Sequence, residues 1–147
     1  MSKTTALYHI VFCTKHREHT IPQNLKTDLY RFIWSEIKAL NCTLIRIGGI
    51  QNHVHLLVDL NPTVSLATLI KTIKANSSGW MKKDDRFPLF IGWAAEYFAS
   101  TISPDDKEAL IQYINNQETH HKVHTEDDEF SALYSRAGLT YDDRQLI

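Results

Sequence analysis

A chain of 147 residues is long enough for one domain with a substantial hydrophobic core. Its hydrophobic fraction of 43% and its charged fraction of 22% are typical of a soluble globular protein. No apolar run reaches membrane-spanning length and the first residues lack the layout of a signal peptide, so we expect a cytoplasmic protein with no membrane partner.

The net charge of −1 gives no overall sign of a nucleic-acid partner, but the charges are unevenly distributed. Lys and Arg exceed Asp and Glu by six before residue 87, and the acids exceed the bases by seven after it. This split indicates either one face with a positive field or a pattern that only serves solubility. The two cysteines, Cys13 and Cys42, match no zinc motif or disulfide framework, so we interpret both as small buried hydrophobic residues.

The first half of the chain alternates between strand-like and helix-like segments. Residues 6–15 are apolar, aromatic and β-branched, which predicts a strand. Residues 22–40 place apolar side chains at helical spacing, which predicts an amphipathic helix. Residues 43–51 and 53–60 then predict two strands, joined by a tight turn near Asn52 or interrupted by a bulge at the adjacent Gly48-Gly49 pair.

The second half adds two more long helices and a strand. Residues 65–83 predict a second amphipathic helix, residues 90–101 a strand and residues 103–121 a third helix that begins at Ser103. Residues 125–147 are expected to be a polar tail in which the acidic run "EDDEF" opens a short helix.

The resulting order is β-α-β-β-α-β followed by a helix, the order of the ferredoxin-like split βαβ fold. We therefore predict an α+β protein: one antiparallel sheet with helices on one face, plus an added C-terminal helix. Residues 1–147 are expected to form a single domain. Because this fold carries many unrelated activities, the function has to be argued from particular residues.

Two histidines in the segment "NHVHLLVDL" are candidate metal ligands. His53 and His55 are two positions apart on a predicted strand, so their side chains point to the same face. Two neutral imidazoles on one face can bind one divalent ion. Two hydrogen-bonded histidines on a half-exposed sheet face would show the same pattern.

A second pair of polar residues lies on the predicted third helix. Tyr113 and Gln117 are four residues apart and share one helix face, although other residues already supply the apolar stripe. A glutamine carbonyl can bind a metal, and a tyrosine phenol can be a nucleophile that forms a covalent intermediate. Two imidazoles and an amide oxygen would leave open positions on the ion, which could act as a Lewis acid on a phosphate beside Tyr113.

The segments "YHIVFCTKHRE", "NHVHLLVDL", "YFASTIS" and "YINNQETHHKVHTEDDEF", in this order, resemble the single-tyrosine HUH transposases, which mobilise insertion sequences as single-stranded DNA. The resemblance covers nearly the whole chain. The His-hydrophobe-His motif is His53-Val54-His55, and the helix motif of a tyrosine followed four residues later by glutamine is Tyr113 to Gln117.

The resemblance implies a function and a site. His53, His55 and Gln117 would bind Mg²⁺ or Mn²⁺, and Tyr113 would attack a DNA phosphodiester to give a 5′-phosphotyrosine and a free 3′-hydroxyl. The implied substrate is single-stranded DNA with hairpins at the element ends. The family also implies a homodimer and no nucleotide cofactor. Its members often have an acidic residue before the first histidine, where this chain has Asn52, which would orient a metal ligand from the second coordination shell.

Several other residues are candidates for DNA contacts. Cationic side chains that follow the first strand or line the second helix can bind phosphates, and an aromatic residue on that helix can stack on a base. These residues are Lys15, Arg17, Lys71, Lys74 and Trp80. The cationic residues are equally consistent with a solvated surface, and Trp80 is consistent with a packed core. We interpret His120, His121 and His124 as a helix end with a favourable dipole interaction, although a second metal cluster is the alternative.

Two other functions remain open at this point. A binding module of the same fold would recognise DNA or RNA hairpins without chemistry. A metal-dependent phosphodiesterase would use water in place of Tyr113 and form no covalent adduct with DNA.

Overall fold

The computed structural model describes residues 2–142 and has four strands: β1 (Leu7–Cys13), β2 (Thr43–Ile50), β3 (His53–Asp59) and β4 (Phe98–Thr101). They form one antiparallel sheet in the order β2-β3-β1-β4. Helices α1 (Lys26–Ala39) and α2 (Leu66–Lys82) connect the strands, and α3 (Lys107–Asn115), α4 (Gln117–His120) and α5 (Glu126–Arg136) follow them. The predicted ferredoxin-like order is confirmed.

The two faces of the sheet are covered by different helices. On the first face, α1 and α2 pack against alternate residues of the central strands β1 and β3, as predicted; these are Ile10, Phe12, Val54, Leu56 and Val58. On the second face, α5 packs against Val11, Cys13 and Phe98, and α3 packs against Leu7 and Leu57. His53 and His55 belong to this second face, so the helices added after β4 cover them.

The hairpin between β2 and β3 closes through the two-residue turn at Gln51 and Asn52, as predicted. The alternative bulge at Gly48-Gly49 is wrong, because the register shifts between Leu44 and Arg46 instead. The Gly48-Gly49 pair serves close packing. A Cβ atom on Gly48 would lie 2.6 Å from the carbonyl oxygen of Ile114 in α3. The absence of a side chain at this position therefore lets α3 approach the sheet.

The strand predicted over residues 90–101 forms only at its end, as β4. The preceding residues form a loop in which one isolated bridge joins Trp93 to Thr14, the residue that follows β1. Trp93 packs edge-on against Phe12, with ring centroids 4.7 Å apart, and its indole N–H donates to Ser77 Oγ at 2.9 Å. The apolar residues of this segment therefore reflect a loop buried in the core.

The helix predicted over residues 103–121 is interrupted. Ser103 caps a 3₁₀ turn at Pro104–Asp106, α3 follows, and a break at Asn116 separates α3 from α4. The helix predicted from "EDDEF" forms as α5, and the Thr125 hydroxyl caps it by accepting from the Asp128 N–H. Residues 143–147 of the predicted tail lie outside the described residues. None of the helices within residues 2–142 has both the length and the apolar character needed to cross a membrane.

Candidate active site

The two histidines of β3 are fully buried and point to the same face of the sheet. Both are 0% exposed, and their rings lie edge to face with centroids 5.0 Å apart. They are buried because β3 is an inner strand and because α3 and α5 cover this face. The prediction that His53 and His55 share one face is confirmed.

Asn52 fixes the orientation of His53. The Asn52 amide group donates to the backbone oxygen of Arg17 at 3.0 Å and to the Glu126 carboxylate at 2.9 Å. Its oxygen therefore faces His53 Nδ1, at 2.8 Å, and accepts the hydrogen of that nitrogen. This arrangement leaves the Nε2 lone pair of His53 facing the interior of the site.

His9 of β1, which we did not single out from the sequence, holds His55 in the same way. His9 Nε2 lies 2.9 Å from His55 Nδ1, and the two rings are stacked. Burial lowers the pKa of His55 to about 4, so its imidazole is neutral near pH 7. Burial, followed by the proximity of His55, lowers the pKa of His9 as well. Neutral imidazole is the form that binds metals.

The structure brings Tyr113 and Gln117 to the two histidines. The Gln117 oxygen lies 3.1 Å from His53 Nε2, and its amide nitrogen donates to the Glu129 carboxylate at 2.9 Å. The Tyr113 ring lies edge to face against His55, with centroids 5.4 Å apart. The break at Asn116 places Tyr113 near the end of α3 and Gln117 at the start of α4. Four residues predicted from two distant motifs therefore meet in one place.

Glu129 of α5 lies at the centre of this group and was missed by the sequence reasoning. Its Oε1 atom lies 3.3 Å from His53 Nε2 and 3.7 Å from His55 Nε2. Its Oε2 atom accepts hydrogen bonds from the Tyr113 hydroxyl and from the Gln117 amide. Glu129 as a whole is only 3% exposed. It therefore connects the candidate nucleophile to the candidate metal ligands.

The donor atoms in this group fit a divalent cation. His53 Nε2, His55 Nε2, the Gln117 oxygen and Glu129 Oε1 all face one small volume, at pairwise distances that include 3.1, 3.3 and 3.7 Å. Neighbouring ligands of an octahedral ion lie roughly 3 Å apart. His55 Nε2 has no hydrogen-bond partner within the described part of the chain, although it is buried. Converging buried lone pairs are costly unless a cation or protons lie between them.

The charges in the site affect Glu129 and Tyr113 in opposite ways. Burial opposes ionisation of Glu129, but the adjacent imidazoles of His121, His53 and His55 outweigh it and hold the pKa of the carboxyl well below its ordinary value. Burial and the negative charge of Glu129 raise the pKa of Tyr113. The Tyr113 phenol is therefore held protonated, with its hydrogen directed at Glu129.

The histidines that follow Gln117 surround the same carboxylate. His121 Nε2 lies 3.0 Å from Glu129 Oε1, and His120 Nε2 lies 3.5 Å from Glu129 Oε2. His120 is the last residue of α4, which agrees with the predicted helix end. Together with Glu129 they form a second group with metal-ligand geometry. Glu129 thus belongs to both groups.

The residues predicted to contact DNA are not gathered at this site. Arg17 donates to Asp127 at 2.8 Å and to Tyr141, which ties the end of β1 to the C-terminal segment. Lys74 donates to the backbone oxygen of Ala94 at 2.6 Å, and Trp80 stacks on a neighbouring phenylalanine. Lys71, Lys74 and Trp80 belong to α2 on the opposite face of the sheet, whereas Lys15 is exposed after β1. Their contact with DNA stays a prediction.

Comparison with known proteins gives one family match and two structural matches. Residues 2–117 match the family model described as "Transposase IS200 like". A candidate transposase from Deinococcus radiodurans R1 superposes with a TM-score of 0.61 and 21% identity, covering 79% of this chain and 93% of that chain. A REP-associated tyrosine transposase bound to a REP hairpin superposes with a TM-score of 0.58 and 15% identity, covering 82% and 74%. At these identities the two structures show a common fold. No curated protein matches the sequence.

Proposed function

The chain belongs to the IS200-like transposase family, and from this premise we propose that it cleaves and rejoins single-stranded DNA through a covalent bond to Tyr113. One observation carries the proposal. His53 and Gln117 are 64 positions apart in the sequence, yet their side chains meet, and Tyr113 lies beside them within the same chain. A shared fold alone would not require these particular residues to converge.

Tyr113 is the proposed nucleophile. Its oxygen would bond to the phosphorus of a phosphodiester while the bond from phosphorus to the 3′ oxygen breaks. The phenol loses its proton and the departing 3′ oxygen gains one, which gives a 5′-phosphotyrosine and a 3′-hydroxyl. Attack by the 3′-hydroxyl of another strand reverses these steps and rejoins DNA. The bond energy stays in the phosphotyrosine, so no nucleotide cofactor is required. Glu129 holds the phenol in position.

We propose that His53, His55 and Gln117 hold Mg²⁺ or Mn²⁺, with Asn52 orienting His53. Such an ion would supply positive charge that stabilises the phosphate during attack. The residues themselves supply rigidity: the imidazoles are buried and hydrogen-bonded, and the glutamine amide is fixed by its bond to Glu129.

The proposed substrate is single-stranded DNA that carries a hairpin. The structural relative bound to a REP hairpin supports a hairpin ligand for this chain. A homodimer is implied by the family resemblance and stays a prediction, to be tested by analytical ultracentrifugation. In this structure Tyr113 and the histidine ring that it contacts belong to one chain. The cytoplasmic location expected from the sequence also stays a prediction.

The test uses single-stranded oligonucleotides copied from the DNA that flanks this gene. They are incubated with the protein and Mn²⁺ or Mg²⁺, and a denaturing gel is examined for a slowly migrating covalent adduct. Duplex DNA and EDTA are the reaction controls. Tyr113→Phe removes only the nucleophilic oxygen, and Tyr8→Phe is its matched control because Tyr8 packs on the opposite face of the sheet.

We expect an adduct with single strands that disappears with EDTA and with Tyr113→Phe but persists with Tyr8→Phe. Cleavage without an adduct, undiminished in Tyr113→Phe, would instead establish a phosphodiesterase that uses water. Hairpin binding without cleavage would establish a binding module. Either result would overturn the proposal.

A further inference from the structure

Tyr113 lies between two pockets on the protein surface. The larger has a volume of about 470 Å³ and extends from Tyr113 along β4 and the start of α3. The smaller has a volume of about 170 Å³ and lies between Tyr113, the end of α4 and α5. Among the residues that the structure describes, only Tyr113 and Arg136 line both pockets. A strand that occupies either pocket beside the phenol therefore lies close to Arg136.

Arg136 is the only lysine or arginine among the described residues that line these pockets. It is the last residue of α5 and is exposed, and within residues 2–142 no ion pair joins it to a carboxylate. Its Nε–H points back along the helix to the backbone oxygen of Ala132, at 3.4 Å. Burial and Glu129 raise the pKa of Tyr113, and the charge of Arg136 counteracts that rise. The guanidinium thus acts electrostatically on the phenol.

The chemistry of the larger pocket suits one nucleotide. Phe98 and Leu110 give it an apolar wall, on which a base can rest, and Ser100 and Thr101 add hydroxyl groups beside that wall. Its volume falls within the range of about 300–1,000 Å³ that is typical of small-ligand sites. Apolar and aromatic walls bind unpaired bases of any sequence, and arginine binds phosphate through a planar pair of N–H groups.

We propose that this larger pocket, the nucleotide pocket, binds one unpaired nucleotide next to the phosphate that Tyr113 attacks, and that Arg136 binds the phosphate of that nucleotide. The inference rests on the proposed function, because it assumes that single-stranded DNA reaches Tyr113. Arg136 lies beyond residue 117, where the family match ends. The nucleotide pocket is therefore completed by a helix outside the matched region.

The first experiment measures binding in the Tyr113→Phe background, so that its outcome does not depend on cleavage. A set of oligonucleotides is made in which each carries one neutral methylphosphonate, at a different position near the cleavage site. Each oligonucleotide is titrated against three proteins: the one that retains Arg136, Arg136→Gln and the control Arg31→Gln. Arg31 is exposed on α1, on the opposite face of the sheet. We expect Arg136→Gln to weaken binding of the unmodified strand by about 10- to 100-fold.

The position of the effect distinguishes a specific contact from general attraction. A methylphosphonate at one position, either the attacked phosphate or a phosphate within one nucleotide of it, should weaken DNA binding by the protein that retains Arg136. The same methylphosphonate should not weaken DNA binding by Arg136→Gln any further. A plot of log affinity against log salt concentration has a negative slope, and this slope should be less steep by about 0.7 in Arg136→Gln. That difference is the value for one phosphate contact on a single strand. Arg31→Gln should show neither change.

A second pair of variants tests the pocket itself. Ala109 is exposed and lines the nucleotide pocket, so Ala109→Trp fills it, whereas Ala75→Trp makes the same change on an exposed position of α2. We expect Ala109→Trp to weaken binding of the intact strand at least tenfold relative to the parent protein. When the nucleotide that occupies the nucleotide pocket is abasic, Ala109→Trp and the parent protein should bind the strand equally well.

The proposal is overturned if no methylphosphonate position couples to Arg136, or if Ala109→Trp and Ala75→Trp bind the intact strand equally well. Failure of the proposed function looks different, because it is seen in the adduct assay with Tyr113 present. Adduct formation combined with no coupling at Arg136 would refute only the nucleotide pocket. Tight, coupled binding without any adduct would refute only the chemistry of Tyr113.

Discussion

Substitution of Gly48 by alanine tests how closely α3 must approach the sheet. Gly48 lies on β2 opposite His55 of β3, directly beneath the C-terminal end of α3. An added Cβ atom would lie 2.6 Å from the carbonyl oxygen of Ile114 and 2.8 Å from its Cγ2 atom. The backbone of α3 cannot avoid this clash by a change of rotamer. The helix must therefore move away from the sheet.

The size of the effect follows from the overlap. Ordinary contact distances begin at about 3.4 Å, so the Ile114 carbonyl has to move by about 0.8 Å. Overpacking of this kind costs about 1–3 kcal/mol of unfolding free energy. Tyr113 precedes Ile114, so the phenol moves with it. A misplacement of about 1 Å costs on the order of 100-fold in rate. We expect Gly48→Ala to lose both stability and adduct formation.

The assay combines urea unfolding with the rate of adduct formation at saturating Mn²⁺. Gly79→Ala is the matched control, because a Cβ atom on Gly79 in α2 meets nothing within 4 Å. That control should be more stable than the parent by about 0.5–1 kcal/mol and should keep its rate. If Gly48→Ala matched the parent in both measurements, the close approach of α3 to β2 would be refuted.

Three further predictions concern the donor group. Asn52→Ala should weaken Mn²⁺ binding by about 10- to 100-fold without unfolding the protein, because His53 loses its orienting partner; calorimetry that finds unchanged affinity would contradict this role. Glu129→Gln should weaken Mn²⁺ binding by at least about tenfold, because Glu129 Oε1 lies beside the proposed ligands His53 and His55 and supplies negative charge there; equal affinities would show that Glu129 does not contribute to metal binding. In EDTA, the free energy of unfolding should fall by about 3 kcal/mol as the pH drops from 6.5 towards 4. The reason is that the pKa of His55 is about 4 in the folded protein and about 6.5 in the unfolded chain, so the unfolded chain takes up the proton at a higher pH. Urea midpoints that stay level between pH 7 and pH 5 would contradict this assignment.

Much of the fold was predictable because its signals are local. The largely apolar and β-branched runs of β1 and β3 are typical of strands that are buried on both faces, and helical spacing along α1 and α2 follows from one buried face. The errors arose where the partner is distant in the sequence. The segment before β4 is apolar because Trp93 packs on Phe12, and periodicity does not distinguish a buried loop from a strand. The glycine pair in β2 suggested a bulge, whereas Gly48 is explained by α3, which comes more than fifty residues later.

The candidate site was predictable in part, for a related reason. His53, His55, Tyr113 and Gln117 lie in short motifs, so spacing alone draws attention to them. Glu129 was overlooked because it ends a run of acids that looks like a solvated first turn of a helix. A signal was present: Glu129 stands four residues before Leu133 and next to Phe130, on the face that α5 buries.

The position of α5 in the chain has a consequence for the order of events during synthesis. Every strand of the sheet, with both β3 histidines, leaves the ribosome before α5 does. Until then Val11, Cys13 and Phe98 have no cover, and the nascent chain depends on other means to keep that face from aggregating. Glu129 arrives with the helix that provides the cover. Completion of the donor group and burial of the part of the second face around Val11, Cys13 and Phe98 are therefore a single event.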